Sequence, residues 1–185
     1  TPELLYPVVD SDISPGGNYL IVCSSAGLSS NRAVLYEIID NSIVELLTTS
    51  PNNVNAVGFS PSGERYFVAS GPSSSSSSGN GYLDIYKREG QTYSLEFRYS
   101  QTGSYGRVAS AAFVNDNSLV LLDGVGGTPT YTLRQLDYNV DTSNWDVTLS
   151  VSQGVSSDKV NCFAEKYILL SGSRAIWAPP SDIAF

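Results

Sequence analysis

The stretch VNAVGFSPSGERYFVAS, residues 54–70, is two alternating apolar runs joined by a proline–glycine turn, and it recurs along the chain. Residues 9–22, VDSDISPGGNYLIV, place Ile13 where Phe59 sits and Ser14-Pro15-Gly16-Gly17 where Ser60-Pro61-Ser62-Gly63 sits. Residues 108–122, VASAAFVNDNSLVLL, carry Phe113 in that slot, and 160–170, VNCFAEKYILL, carry Phe163 before a shorter turn. The four anchors lie 46, 54 and 50 residues apart, and the longest interval holds the serine run from Ser73 to Ser78. A length change confined to a serine-rich insertion is what a loop excursion on a repeated unit produces.

Each unit continues alike. A third alternating run follows (33–39, 82–88, 131–138), then a turn of Asp, Asn, Ser or Gly, then a fourth run (43–49, 93–99, 145–151). No segment has a sustained helical period with caps. Four short antiparallel strands per unit of about 50 residues predict an all-β fold, a β-propeller of about four four-stranded antiparallel blades. The expected organisation is one domain, 1–185, with units near 8–53, 54–107, 108–158 and 159–185, the last completed by 2–7.

The turn has a physical reading. Pro61 is preset for the second position of a type I turn, Ser60 can hydrogen-bond from the first, and Gly63 suits the fourth. Pro15 and Gly17 match them. The anchor closing each inner strand is expected to pack between neighbouring blades. The FSPSG turn, the aromatic-rich strand after it and YLDIYK (82–87) resemble the blades of WD-repeat and TolB-type propellers. The Gly-His and Trp-Asp dipeptides of standard WD repeats are absent: the chain has no His, and its one Trp-Asp, Trp145-Asp146, opens a fourth strand. The resemblance implies a rigid disc whose faces and rim bind other molecules.

Two closures are open. PELLYP (2–7) echoes VELLTT (44–49), so the N-terminal segment can supply the strand that the last unit lacks and close a four-bladed ring. Alternatively SDIAF (181–185) begins another inner strand, like VASAAF and VNAVGF, and the chain is part of a larger propeller or half of a ring completed by a second chain.

The remaining composition bears on function. The chain carries a formal charge of −8, its ten Lys and Arg are scattered, and nucleic acid and anionic membrane are disfavoured as partners. No apolar run reaches the roughly 18–20 residues of a membrane span. No targeting signal is visible, and the absence of Met leads us to expect a chain processed or cut from a longer precursor. The compartment stays open, a surface or extracellular assembly included. Cys23 and Cys162, both in apolar strand-like stretches, are expected to be buried thiols.

Without histidine the commonest general base and metal ligand is missing, and no Gly-x-Ser-x-Gly elbow occurs, so no catalytic set is expected. Asp10 and Asp12 could face a central channel, with a turn hydrogen bond as the plainer role. Asp137, Asn139, Asp141 and Ser143 space oxygen donors like the first half of a calcium loop, although Thr142 replaces the sharp-turn glycine and Thr148 the bidentate Glu. Calcium is the one cofactor these residues suggest. The twelve Tyr and two Trp raise carbohydrate as a ligand, but Tyr36, Tyr66, Tyr86, Tyr93, Tyr99 and Tyr131 fall at strand positions suited to packing. Tyr105, Arg107, Ser75 and Asn80, on polar loops or beside them, are the expected contact residues for a partner. The reading these features favour is a noncatalytic interaction or structural module that binds protein or copies of itself, with a viral or cell-surface shell as one such assembly; a lectin-like propeller and an enzyme or calcium site at the propeller face are the alternatives.

Overall fold

The computed structural model describes residues 8–24, 32–40, 42–49, 53–71, 79–102, 106–125, 131–155, 159–163, 166–171 and 174–178, with side chains described as far as Val151 except at positions 49 and 125. Among these residues every regular element is a strand. The first sheet runs β1 (Val8–Ile13), β2 (Tyr19–Ser24), β3 (Arg32–Ile39), β4 (Ser42–Thr49). The second is β5 (Val54–Phe59), β6 (Arg65–Ser70), β7 (Gly81–Glu89), β8 (Thr92–Gln101). The third is β9 (Gly106–Asn115), β10 (Ser118–Val125), β11 (Tyr131–Asn139), β12 (Asn144–Val155). The fourth holds β13 (Lys159–Phe163), β14 (Lys166–Ser171) and β15 (Arg174–Ala178). Every pairing is antiparallel between consecutive strands, the up-and-down order of a propeller blade.

The expected turns form. Gly17 donates its N–H to the Ser14 carbonyl at 2.8 Å and Gly63 to that of Ser60 at 2.9 Å, both glycines at φ near +70°, a region that costs other residues. The serine hydroxyls accept from further on: Ser14 Oγ from the Tyr19 N–H (3.0 Å) and Ser60 Oγ from the Arg65 N–H (3.2 Å), which pins the start of the next strand.

Two irregularities repeat in the first three sheets. In each inner strand one residue bulges at the same distance before the anchor: Val9, Asn55 and Ala109. In each outer strand Leu46, Glu96 and Thr148 bulge likewise. A bulge bends its strand and re-aims one side chain. Asn55 reaches across to the Val108 carbonyl (2.9 Å), and Glu96 turns into the seam between the second and third sheets.

The inner strands β1, β5, β9 and β13 lie side by side in that order around a central channel. The core fills the gaps between sheets. Tyr19, Ile21, Cys23 and Leu35 of the first sheet pack on Val57, Phe59, Tyr66, Val68 and Tyr86 of the second. Phe67, Leu83 and Ile85 of the second pack on Phe113, Leu119, Leu121 and Leu136 of the third. Cys23 is a buried free thiol; the side chain of Cys162 lies outside the described residues. So do both segments on which the two closures turn, 2–7 and 181–185. Among the described residues β1 packs beside β5, β5 beside β9 and β9 beside β13.

Candidate functional site

Two features invite function: the channel and the outward face of the first sheet. The channel encloses about 350 Å³ between β1, β5 and β9, lined by Asp10, Asp12, Asn55, Gly58 and Ser110 among others. Its carboxylates work as stitches. Asp12 Oδ2 accepts the Phe59 N–H at 2.8 Å and Oδ1 the Ile13 N–H at 2.9 Å, while Asp10 Oδ2 accepts the Val57 N–H at 3.1 Å. Alternate residues of β1 therefore satisfy alternate amides of β5, joining neighbouring inner strands through side chains where no backbone ladder exists. Gly58 leaves room for the Phe67 ring, which a Cβ there would approach within 2.7 Å and which is itself part of the core.

The seam between the second and third sheets holds the densest polar cluster. Arg65 donates to Glu96 at 2.7 and 3.0 Å and to the Asp116 carbonyl at 3.2 Å, and it lies over the Tyr138 ring at 4.8 Å. Trp145 Nε1 donates to Glu96 at 3.2 Å. Burial opposes ionisation of Glu96, but the Arg65 and Trp145 hydrogen bonds and the Arg65 and Lys87 charges outweigh it and hold the carboxyl below its usual range. Asp116 is likewise held low against its burial, chiefly by the Ser62 hydroxyl and amide at 2.7 and 2.9 Å. Farther up, Asp123 is shared by Tyr99 of the second sheet and Arg134 of the third. These groups face partners inside the fold.

The outward face of the first sheet differs. The register puts Ile13, Leu20, Val22, Val34, Tyr36, Ile38 and Ile43 on it, opposite the face packed on the second sheet. The same positions in the second and third sheets are the core's inter-sheet surface. Phe59 is 8% exposed and Phe113 6%, whereas Ile13 in the same slot is 54% exposed. Val22 and Tyr36 are buried but join none of the three core clusters, unlike their counterparts Val68 and Tyr86. Ile43 on this face is exposed as well, and Val8, Val9, Ile39 and Val44 are exposed elsewhere on the same sheet, so most of the exposed large apolar side chains among the described residues belong to the first sheet.

The structure separates the residues that the sequence suggested. Asp137 accepts from Gln135 and Thr148, while Asn139 Oδ1 accepts the Asp141 and Thr142 amides in a turn and its amide donates to Asp146. Asp141 and Ser143 are exposed in the turn, Ser143 at a φ of 51°. The four residues lie along the β11–β12 hairpin, and no group of three or more His, Cys, Asp or Glu side chains that could hold a metal occurs among the described residues. Asn80 is exposed, 3.4 Å from the Tyr82 hydroxyl. Arg107 is half-buried, with Nη1 3.5 Å from the Tyr131 hydroxyl and its backbone tight against Gly71 and Gly81. Ser75 and Tyr105 lie outside the described residues. Tyr36, Tyr66, Tyr86 and Tyr93 are buried, as packing would have it, and Tyr99 and Tyr131 are half-buried. The outward face went unnoticed in the sequence. Its one signal was Ile in a slot held elsewhere by Phe.

No family model and no curated protein matches the chain. Solved structures do, as propellers. The β-propeller domain of Cps50 (Swd1) from Myceliophteria thermophila superposes with a TM-score of 0.64 at 7% identity over 90% of this chain and 51% of that one. Sqt1 of Saccharomyces cerevisiae gives 0.58 at 10% identity over 80% and 36%, and a chain of a nidogen/laminin complex 0.61 at 10% over 95% and 61%. The fold is that of a β-propeller, and the chain spans about a third to three-fifths of the length of these structures.

Proposed function

We propose that the chain is a noncatalytic protein-interaction module, a run of propeller blades whose first sheet docks a protein partner through its outward face. One observation carries the reading: Ile13 is 54% exposed in a slot that is closed against a neighbouring sheet at Phe59 and Phe113. Apolar side chains left exposed on one sheet face, as Ile13 and Ile43 are, mark a contact site. The polar groups of the channel and seams support the same reading, since they hold strands and sheets together. One of the structural relatives belongs to a nidogen/laminin complex, in keeping with a scaffold.

A photoreactive residue in place of Ile13 tests the proposal. The expected result is a covalent adduct with a protein surface outside the substituted blade. Quenching by solvent alone, with no protein adduct, would overturn it.

A further inference from the structure

We infer a second binding site, in the channel rather than on the outward face: an extended peptide segment of small, non-acidic residues adds as a strand to the inner edge of β9 at Ala111 and Phe113.

The free edge follows from the register. Residues opposite each other in an antiparallel pair alternate between those that exchange both ladder bonds and those that exchange none. In the second sheet the Ser60 N–H donates to the Arg65 carbonyl, so Phe59–Tyr66 and Val57–Val68 are pairs of the other kind. Val57 and Phe59 accordingly turn N–H and C=O towards the channel. The third sheet keeps the same phase. Tyr138 donates to the Asn117 carbonyl just as Arg88 does to that of Glu64, which makes Leu119 and Leu121 the counterparts of Tyr66 and Val68. Their partners, Phe113 and Ala111, therefore also turn both main-chain groups to the channel.

What differs is the strand before. β1 meets the Val57 and Phe59 amides with Asp10 and Asp12, at 3.1 and 2.8 Å. β5 carries Ala56 and Gly58 in those two places, and Asn55 ties it to β9 only at the Val108 carbonyl, nearer the start of that strand. Among the described residues no side chain accepts from the Ala111 and Phe113 amides. A row of unpaired main-chain groups is a template for another strand.

The lining selects the occupant. Ala111 and Phe113 each offer a donor and an acceptor, two residues apart, a step of roughly 7 Å. A carboxylate would answer the donors alone; an extended main chain answers all four groups, as in strand addition to a sheet edge. Asp10 and Asp12 line the same cavity with no Lys or Arg among its lining residues, so an anion is repelled. Ala56, Gly58 and Ala112 leave room beside β9, and the volume of about 350 Å³ limits the occupant to a few small residues.

Amide hydrogen exchange in the whole chain, read by NMR, tests the site. In the free chain Ala111 and Phe113 are expected to exchange about tenfold or more faster than Val57 and Phe59, which the carboxylates hold. Acetylated and amidated tripeptides of Gly, Ala and Ser, in millimolar excess, should slow both amides by a similar factor, and the same peptides N-methylated at the middle residue should not. Ala111→Pro removes a donor that the β10 ladder does not use, a substitution that strand edges tolerate, and should abolish peptide protection at Phe113. Ala56→Asp sets a carboxylate over Ala111 as Asp10 stands over Val57, and should block the peptides with every N–H kept, which covers the case of a proline variant that fails to fold. Equal exchange of all four amides in the free chain would overturn the free edge. Sodium succinate protecting as well as the peptides would overturn the main-chain occupant in favour of an anion. Ala111 and Phe113 unmoved by every peptide would overturn the site.

Discussion

Phe59 and Ile13 end the same strand in successive blades, follow the same kind of bulge and precede the same Ser-Pro turn, yet one is sealed and the other open. Around Phe59 stand Tyr66, Tyr93 and the first sheet's Tyr19, their rings at 5.0–6.4 Å in edge-on contacts. Ile13 has Leu20 beside it across the ladder and no such cluster. A repeated unit thus fixes the register and the bulges, while the neighbour in space decides whether a face is core or contact surface. The aromatic residues follow that division: the second blade fills this face, covered there, with Tyr and Phe, whereas the matching outward face of the first carries Ile, Leu, Val and a single Tyr.

The comparison can be broken by truncation. Tyr66→Ala opens a hole in a fully buried aromatic cluster and should cost about 3–5 kcal/mol, whereas Leu20→Ala at the matching position should cost about 1 kcal/mol in dilute, unassembled chain. Denaturant unfolding reads both. Similar losses would mean that the two faces are equally covered.

Next in size is the polar seam. Arg65→Ala strands Glu96 beside Trp145 and should cost about 3 kcal/mol. The same seam sets an acid limit. Glu96 and Asp116 are held below their unfolded values, so their contribution is present above the ordinary carboxylate range and is lost as pH falls towards the folded pKa. Thermal midpoints measured from neutral to acid pH should fall less steeply in Glu96→Gln, whose baseline stability is already lower. An unchanged slope would remove Glu96 from the account.

Smaller still is the stitch between β1 and β5. Asp12→Ala leaves the Phe59 and Ile13 amides without their acceptor and should cost about 1–2 kcal/mol, with faster hydrogen exchange at Phe59. The smallest effect is on Cys23. Burial first, and the Asp10 charge after it, push its thiol up to about 12, so it should resist alkylation at pH 8 in the folded chain and react on unfolding.

Much of this was legible in the chain. Strand limits expected at 33–39, 82–88 and 131–138 are found at 32–39, 81–89 and 131–139, because alternating apolar residues and Pro-Gly turns are local signals. The Ser-Pro turns formed for the same reason. The seams were not legible. Asp12 meets Phe59 across 47 residues, and Arg65 meets Asp116 across 51, contacts that no periodicity announces. Glu96 lies within an alternating outer strand, and a bulge in the register there accompanies its turn inward to Arg65.

Labelling of two single cysteines tests the central claim most directly. With Cys23 and Cys162 replaced, Ile13→Cys and Phe59→Cys are compared in folded chain at high dilution. The account requires position 13 to react near the rate of a free thiol and position 59 to react only through unfolding. Equal protection of both at every dilution would contradict it.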